Sequence, residues 1–174
     1  MDSEWFPLRV TYNREMKMKA EFEALNIECF VPMHYKEEMI GERRVRKLAP
    51  SIHNLIFVHI SEAGMKELRN SHIHWPIRYI MNPETRRPLI VPDEQMQSFM
   101  TVAGHYEQDI VYLDVDTSLL KKGSKVRVMS GDFKGAIGTF LRVMCDLRVV
   151  VSIPGVAAVA TAFVHPSQIE IIEE

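Results

Sequence analysis

The sequence predicts an α+β protein in two parts, an α/β sandwich with helices on a mostly antiparallel sheet, followed by a small five-stranded β-barrel. Three observations lead there. Residues 1–104 interleave strand-like apolar runs with amphipathic helical stretches, whereas from residue 121 only short β runs separated by turn residues remain. Residues 105–120, between them, carry Asp109, Asp114 and Asp116 with no clear amphipathic period, and read as a linker.

The first strand is Trp5 to Tyr12, rich in aromatic and β-branched residues and bounded by Asn13. Asn13 is the expected N-cap of a helix ending near Asn26, because Met18, Phe22 and Leu25 at i, i+4 and i+7 form one apolar stripe. Ile27 to Tyr35 reads as a second strand. Lys36 to Pro50 then turns polar, with Glu37, Glu38, Glu42, Arg43, Arg44, Arg46 and Lys47, and suits a loop or protruding hairpin. Asn54 to Ile60 is too short and too apolar for an exposed helix, so a buried central strand is expected. Ser61 caps a short helix through Asn70 with Met65 and Leu68 inward, and Trp75 to Met81 and Pro88 to Val91 read as strands. Pro92 precedes the last helix, with Met96, Phe99, Met100 and Ala103 on its inner face and Gly104 at C′. Five strands then follow at Lys125 to Met129, Ala136 to Met144, Leu147 to Ile153, Val156 to Val164 and Ile169 to Ile172. Gly131, Gly135, Asp146, Pro154-Gly155 and Pro166 mark the turns.

Composition narrows the function classes. Across 174 residues, 47% are apolar and 25% charged, which suits a packed globular protein. A net charge of −2 argues against nucleic-acid binding by the whole surface and against a basic RNA-binding module of the translation machinery, so any such contact is local. The N-terminus has no signal-peptide apolar core and no run spans a bilayer, so a cytoplasmic protein without membrane contact is expected. Cys29 and Cys145 lie far apart without a CxxC partner and read as core-filling free thiols. His72 and His74 flank no third ligand at zinc spacing, and no phosphate loop or nucleophile elbow is present. No catalytic residue, metal or cofactor is therefore expected.

The turn between the first two barrel strands carries the most specific pattern. Gly123, Val126, Val128, Gly131, Phe133, Gly135 and Gly138 stand in one register. Alternation puts the two valines on one face, and Gly131 and Gly135 supply the positive φ of a tight turn around Phe133. This spacing resembles the KOW motif. The first part agrees: Trp5-Phe6 opens the first strand, Val31-Pro32 ends the second, a charged insertion follows, and Asn54-Leu55-Ile56-Phe57-Val58 precedes a late Pro92-Asp93 helix. Together with Val151 to Gly155, Phe163 and Ser167 to Glu170, these features resemble the NusG family of transcription elongation factors over almost the whole chain. Ser51-Ile52-His53-Asn54-Leu55 stands where the general factor usually has an aromatic and glycine-rich Phe-Pro-Gly-Tyr sequence. That departure, with the Pro92-Asp93-Glu94-Gln95-Met96 helix start, resembles the specialised RfaH-like and UpxY-like antiterminators of surface-polysaccharide operons.

The resemblance implies a fold and a mechanism. Residues 1–104 would form the ferredoxin-like NusG N-terminal sandwich, 105–120 the linker and 121–174 a five-stranded SH3-like KOW barrel. The first domain would bind the clamp helices of the RNA polymerase largest subunit through an apolar depression, matched by Phe6, Leu8, Ile52, Leu55 and Phe57, although strand alternation also suits plain sheet core. Arg43, Arg44, Arg46 and Lys47 fall where specialised relatives touch non-template DNA or nascent RNA, although solvated loop charge is the commoner meaning of such a run. In the barrel, the Gly131–Gly135 turn with Phe133 and Ile153 matches a surface that meets ribosomal protein S10 or Rho. The implied activity is suppression of pausing or termination by a monomer, either operon-specific or as a general elongation factor.

Overall fold

The computed structural model describes residues 2–113 and 122–173. Two compact units emerge, one formed by Met1–Pro32 with Ile52–Asp93, the other by Met33–Ser51 with Glu94–Glu174. The chain passes from one to the other three times.

In the first unit, β1 (Glu4–Val10), β2 (Glu28–Phe30), β5 (Leu55–Ile60) and β6 (Ile77–Tyr79) form an antiparallel sheet in the order β2-β5-β1-β6. With α1 (Glu15–Ala24) after β1 and α2 (Glu62–Ser71) after β5, this is the split β-α-β-β-α-β arrangement. Central position explains the apolar run that opens β5: Leu55, Ile56, Phe57 and Val58 are all fully buried. Ser61 caps α2 as expected, its hydroxyl accepting from the Gly64 N–H at 3.1 Å. Met18 and Phe22 of α1 are buried, and Phe22 meets the Trp75 ring edge-on at 5.4 Å.

Two details of α1 differ from expectation. Leu25 is exposed, because the helix ends at Ala24 and Asn26 turns into the left-handed region at φ 56°. Nor is Asn13 the cap; Arg14 holds that position without a side-chain bond, while Asn13 has φ 51°. Side-chain capping is typically made from extended backbone, and a positive φ does not fit it. The Asn13 N–H instead donates to Asn54 Oδ1 at 3.2 Å. The predicted strand at Pro88 to Val91 is reduced to single bridges, Met81 to Pro88 and Trp5 to Val91.

In the second unit, the polar insertion is a two-stranded hairpin, β3 (Met33–Ile40) and β4 (Arg43–Pro50), reversed at Gly41 with φ 64°. α3 (Asp93–Ala103) contributes its residues from Glu94 onward and buries Met96, Phe99, Val102 and Ala103. The short β runs become β8 (Ser124–Val128), β9 (Ile137–Val143), β10 (Asp146–Ile153), β11 (Ala157–Ala160) and β12 (Ile169–Glu173). They form an antiparallel sheet in the order β12-β8-β9-β10-β11-β7, whose last strand, β7 (Val111–Leu113), lies inside the expected linker. Residues 114–120 of that linker, and Lys121, lie outside the described residues.

Polar side chains join α3 to this sheet. Gln95 Nε2 donates to the Ser152 carbonyl at 2.7 Å, and the Ile137 N–H donates to Ser98 Oγ at 3.0 Å. Arg148 of β10, 3% exposed, donates to the carbonyls of Asp109 (2.6 Å) and Thr161 (2.9 Å) and to the carboxylates of Asp109 (2.8 Å) and Asp146 (3.1 Å). Gly104 closes α3 without a positive φ; a Cβ there would stand 2.8 Å from the Met100 carbonyl, so close approach is what excludes a side chain.

Candidate functional site

The sheet of the first unit separates the five apolar candidates by register. Phe6 lies opposite Val58 and Leu8 opposite Ile56, whereas Pro7 faces Phe57 and Arg9 faces Leu55. Directly opposed residues share a sheet face. Phe6 and Leu8 therefore point one way, with Tyr79 (opposite Leu8), over which α2 lays Arg69 at 5.0 Å. Leu55 and Phe57 point the other way, with Trp5 and His59, whose rings stack at 4.8 Å. The four residues are at most 1% exposed, and Ile52, in the turn before β5, is partly buried. The Trp5–His59 stack, with His59 Nδ1 2.8 Å from Glu28 Oε2, adds polar character to the Leu55 face.

All four basic candidates lie exposed on β4. Alternation divides them, because Arg44 and Arg46 share a face with Glu37 and Tyr35, and Arg43 and Lys47 share the other with Lys36. Arg44 pairs with Glu37 at 3.4 Å. Arg46 sets its guanidinium 3.9 Å above the Tyr35 ring, a cation–π geometry. Among the described residues, Arg43 and Lys47 form no ion pair. Glu37 and Glu38 are partners of this ribbon, Glu38 meeting Lys36 at 3.8 Å.

The glycine-rich turn has the expected backbone, with φ 86° at Gly131 and 91° at Gly135. At Gly138 a Cβ would stand 2.4 Å from the Val150 carbonyl, so β9 and β10 approach too closely for any side chain. Val126 and Val128 are buried together. Phe133 (6% exposed) meets His105 edge-on at 5.3 Å, and Ile153 (1% exposed) adjoins the Ser152 carbonyl held by Gln95. Both candidates are internal to the second unit.

Both cysteine expectations need revision in detail. Cys29 is half-buried, and burial pushes its thiol up to about 11. Cys145 is exposed, at φ 77° in the β9–β10 turn, where no side chain packs into a core. His72 Nδ1 lies 3.2 Å from the Leu68 carbonyl and its ring stacks on Trp75 at 4.1 Å, so packing within the unit accounts for its position.

A family model described as "NusG: Transcription termination factor nusG" matches residues 3–100. The chain belongs to the NusG family. Members of this family are transcription elongation and termination factors rather than enzymes, and they bind RNA polymerase. The matched range includes the hairpin and most of α3, and the β8–β12 strands lie beyond it. A solved structure, "Domain interaction in Thermotoga maritima NusG", is similar at 19% identity over 99% of each chain with a TM-score of 0.47. No curated protein matches. No helix among the described residues is long and apolar enough to cross a membrane.

Proposed function

We propose that the chain is an operon-specific NusG-family antiterminator that binds the clamp helices of the RNA polymerase largest subunit and suppresses pausing or termination, with the β3–β4 hairpin on single-stranded nucleic acid. The observation that carries this reading is the hairpin: four exposed cations on one eight-residue strand, in a chain of net charge −2. A local cationic ribbon suits a phosphate backbone without making the whole surface sticky. The unusual Ser51–Leu55 approach to β5 supports a specialised role at surface-polysaccharide loci over general elongation. For polymerase docking, Leu55 and Phe57, with Ile52 beside them, form a consistent one-faced set; both are buried here, so docking requires that face to open. The β8–β12 strands serve as a KOW module, and a contact of Phe133 and Ile153 with ribosomal protein S10 or Rho likewise requires their exposure.

Holding polymerase closed is binding without bond chemistry, since an equilibrium shifts toward the state that is bound better. The test is joint replacement of Arg43, Arg44, Arg46 and Lys47 by Ala. Binding to isolated polymerase persists, while the dependence of elongation-complex affinity on salt weakens, its log–log slope falling by about 0.7 for each single-strand phosphate that is no longer neutralised. Unchanged slope and normal antitermination would reduce the cluster to solvated charge.

A further inference from the structure

The hairpin base carries an aromatic groove that phosphate contact does not explain. Tyr35 of β3 and Tyr106, just past α3, meet edge-to-face at 5.5 Å and 72°. Arg46 covers Tyr35. These residues line an open concavity of about 350 Å³ with His34, Glu107, Gln108, Ile110 and Tyr112. The Tyr112 hydroxyl is buried beside Ser51, and burial pushes its pKa up to about 12 although the Ser51 hydroxyl opposes that shift. Ser51 Oγ also lies 3.1 Å from His34 Nδ1.

We propose that this groove takes an unpaired base of single-stranded nucleic acid, with the Tyr35 and Tyr106 rings as its aromatic contacts. Rings beside a cationic ribbon are the combination single strands need, because every base has a π-face and every nucleotide a phosphate. The volume lies near the lower end of small-molecule sites, about 300–1,000 Å³, and suits a nucleoside rather than a folded partner. Arg46 belongs to both groove and ribbon, so a base in the groove places its own phosphate against the hairpin cations. The inference rests on the hairpin contacting nucleic acid, and predicts something that reading alone does not: dependence on bases.

Fluorescence anisotropy with the full chain tests it, using a labelled mixed-sequence 12-mer and an abasic strand of equal length. The base-bearing strand should bind about tenfold more tightly, the effect of one stacked base. Tyr106→Ala should remove that preference without altering the salt slope, and Tyr106→Phe should keep it. DNA and RNA versions of the 12-mer identify the source, as the tighter binder. Equal affinity of wild-type protein for base-bearing and abasic strands overturns the groove even if Tyr106→Ala fails to fold. In that event a salt slope still sensitive to the four cations would leave the hairpin reading standing. Saturable binding of a proline-rich peptide with no oligonucleotide binding would assign the groove to protein instead.

Discussion

Asn54 sits in the left-handed region at φ 63°, just before the buried strand β5. Its N–H donates to the buried Glu15 carboxylate, its carbonyl accepts from the Val10 N–H at 3.0 Å, and its Oδ1 accepts from the Asn13 N–H. Three groups of one short stretch, Val10 to Glu15, thus meet on one residue. Asn54→Ala keeps a Cβ in a conformation that costs about 1–2 kcal/mol for most residues and removes the polar side chain by which Asn tolerates it, whereas Asn54→Gly relieves the backbone and loses only the side-chain bond. Urea denaturation should therefore rank wild type above Asn54→Gly and Asn54→Ala lowest; equal losses would mean that backbone strain is not the issue. The asparagine is visible in the sequence as part of an atypical turn, but its role is not, since its partners lie about 40 positions away. Thiol chemistry offers a second check at this scale. Ellman's reagent should find one fast thiol, Cys145, absent in Cys145→Ser, and one slow thiol, Cys29, whose burial and raised pKa deplete the thiolate near neutrality. Two fast thiols would contradict the burial of Cys29.

At the scale of an element, the hairpin shows what periodicity hides when the element type is left open. Arg43-Arg44-Val45-Arg46-Lys47 looks like a single patch along the sequence; as a strand it is two pairs on opposite faces, only one of which shares its face with Tyr35. Double substitutions should separate them. Arg44/Arg46→Ala is expected to lower both the salt slope and the preference for base-bearing strands, and Arg43/Lys47→Ala the slope alone. Loss of base preference in Arg43/Lys47→Ala would contradict the face assignment. The same alternation divides the apolar candidates, putting Phe6 and Leu8 on the α2 side and Leu55 and Phe57 opposite. Recognising strands from composition comes easily, because β1, β5 and the valine-rich β10 are dense in β-branched and aromatic residues. Sharing of faces needs the register, which short-range patterns do not contain.

Across the whole molecule, two discontinuous compact units group the hairpin and most of α3 with the later strands. No local signal announces this, because the partners are far apart in sequence: Gln95 to Ser152 and Arg148 to Asp109, both within the second unit, span 57 and 39 positions. Arg148 ties the segment before β7 to β10. Arg148→Ala leaves the Thr161 carbonyl buried without its donor, and a loss of about 1–3 kcal/mol by urea denaturation is expected. Asp109→Asn should cost far less, its side chain being 79% exposed and such ion pairs contributing little. Equal losses would show that charge pairing, rather than satisfaction of the buried carbonyl, dominates.

The discontinuity also orders events on the ribosome. The hairpin, complete at Pro50, leaves the exit tunnel long before β10 and β11 exist, a delay of about 5–20 s at ordinary elongation rates of roughly 5–20 residues per second. A nascent apolar ribbon waiting that long would offer its edges to other chains. This one carries charge on both faces, Lys36, Arg43 and Lys47 on one and Glu37, Arg44 and Arg46 on the other, so the cations proposed to meet nucleic acid in the finished protein also guard the ribbon during synthesis.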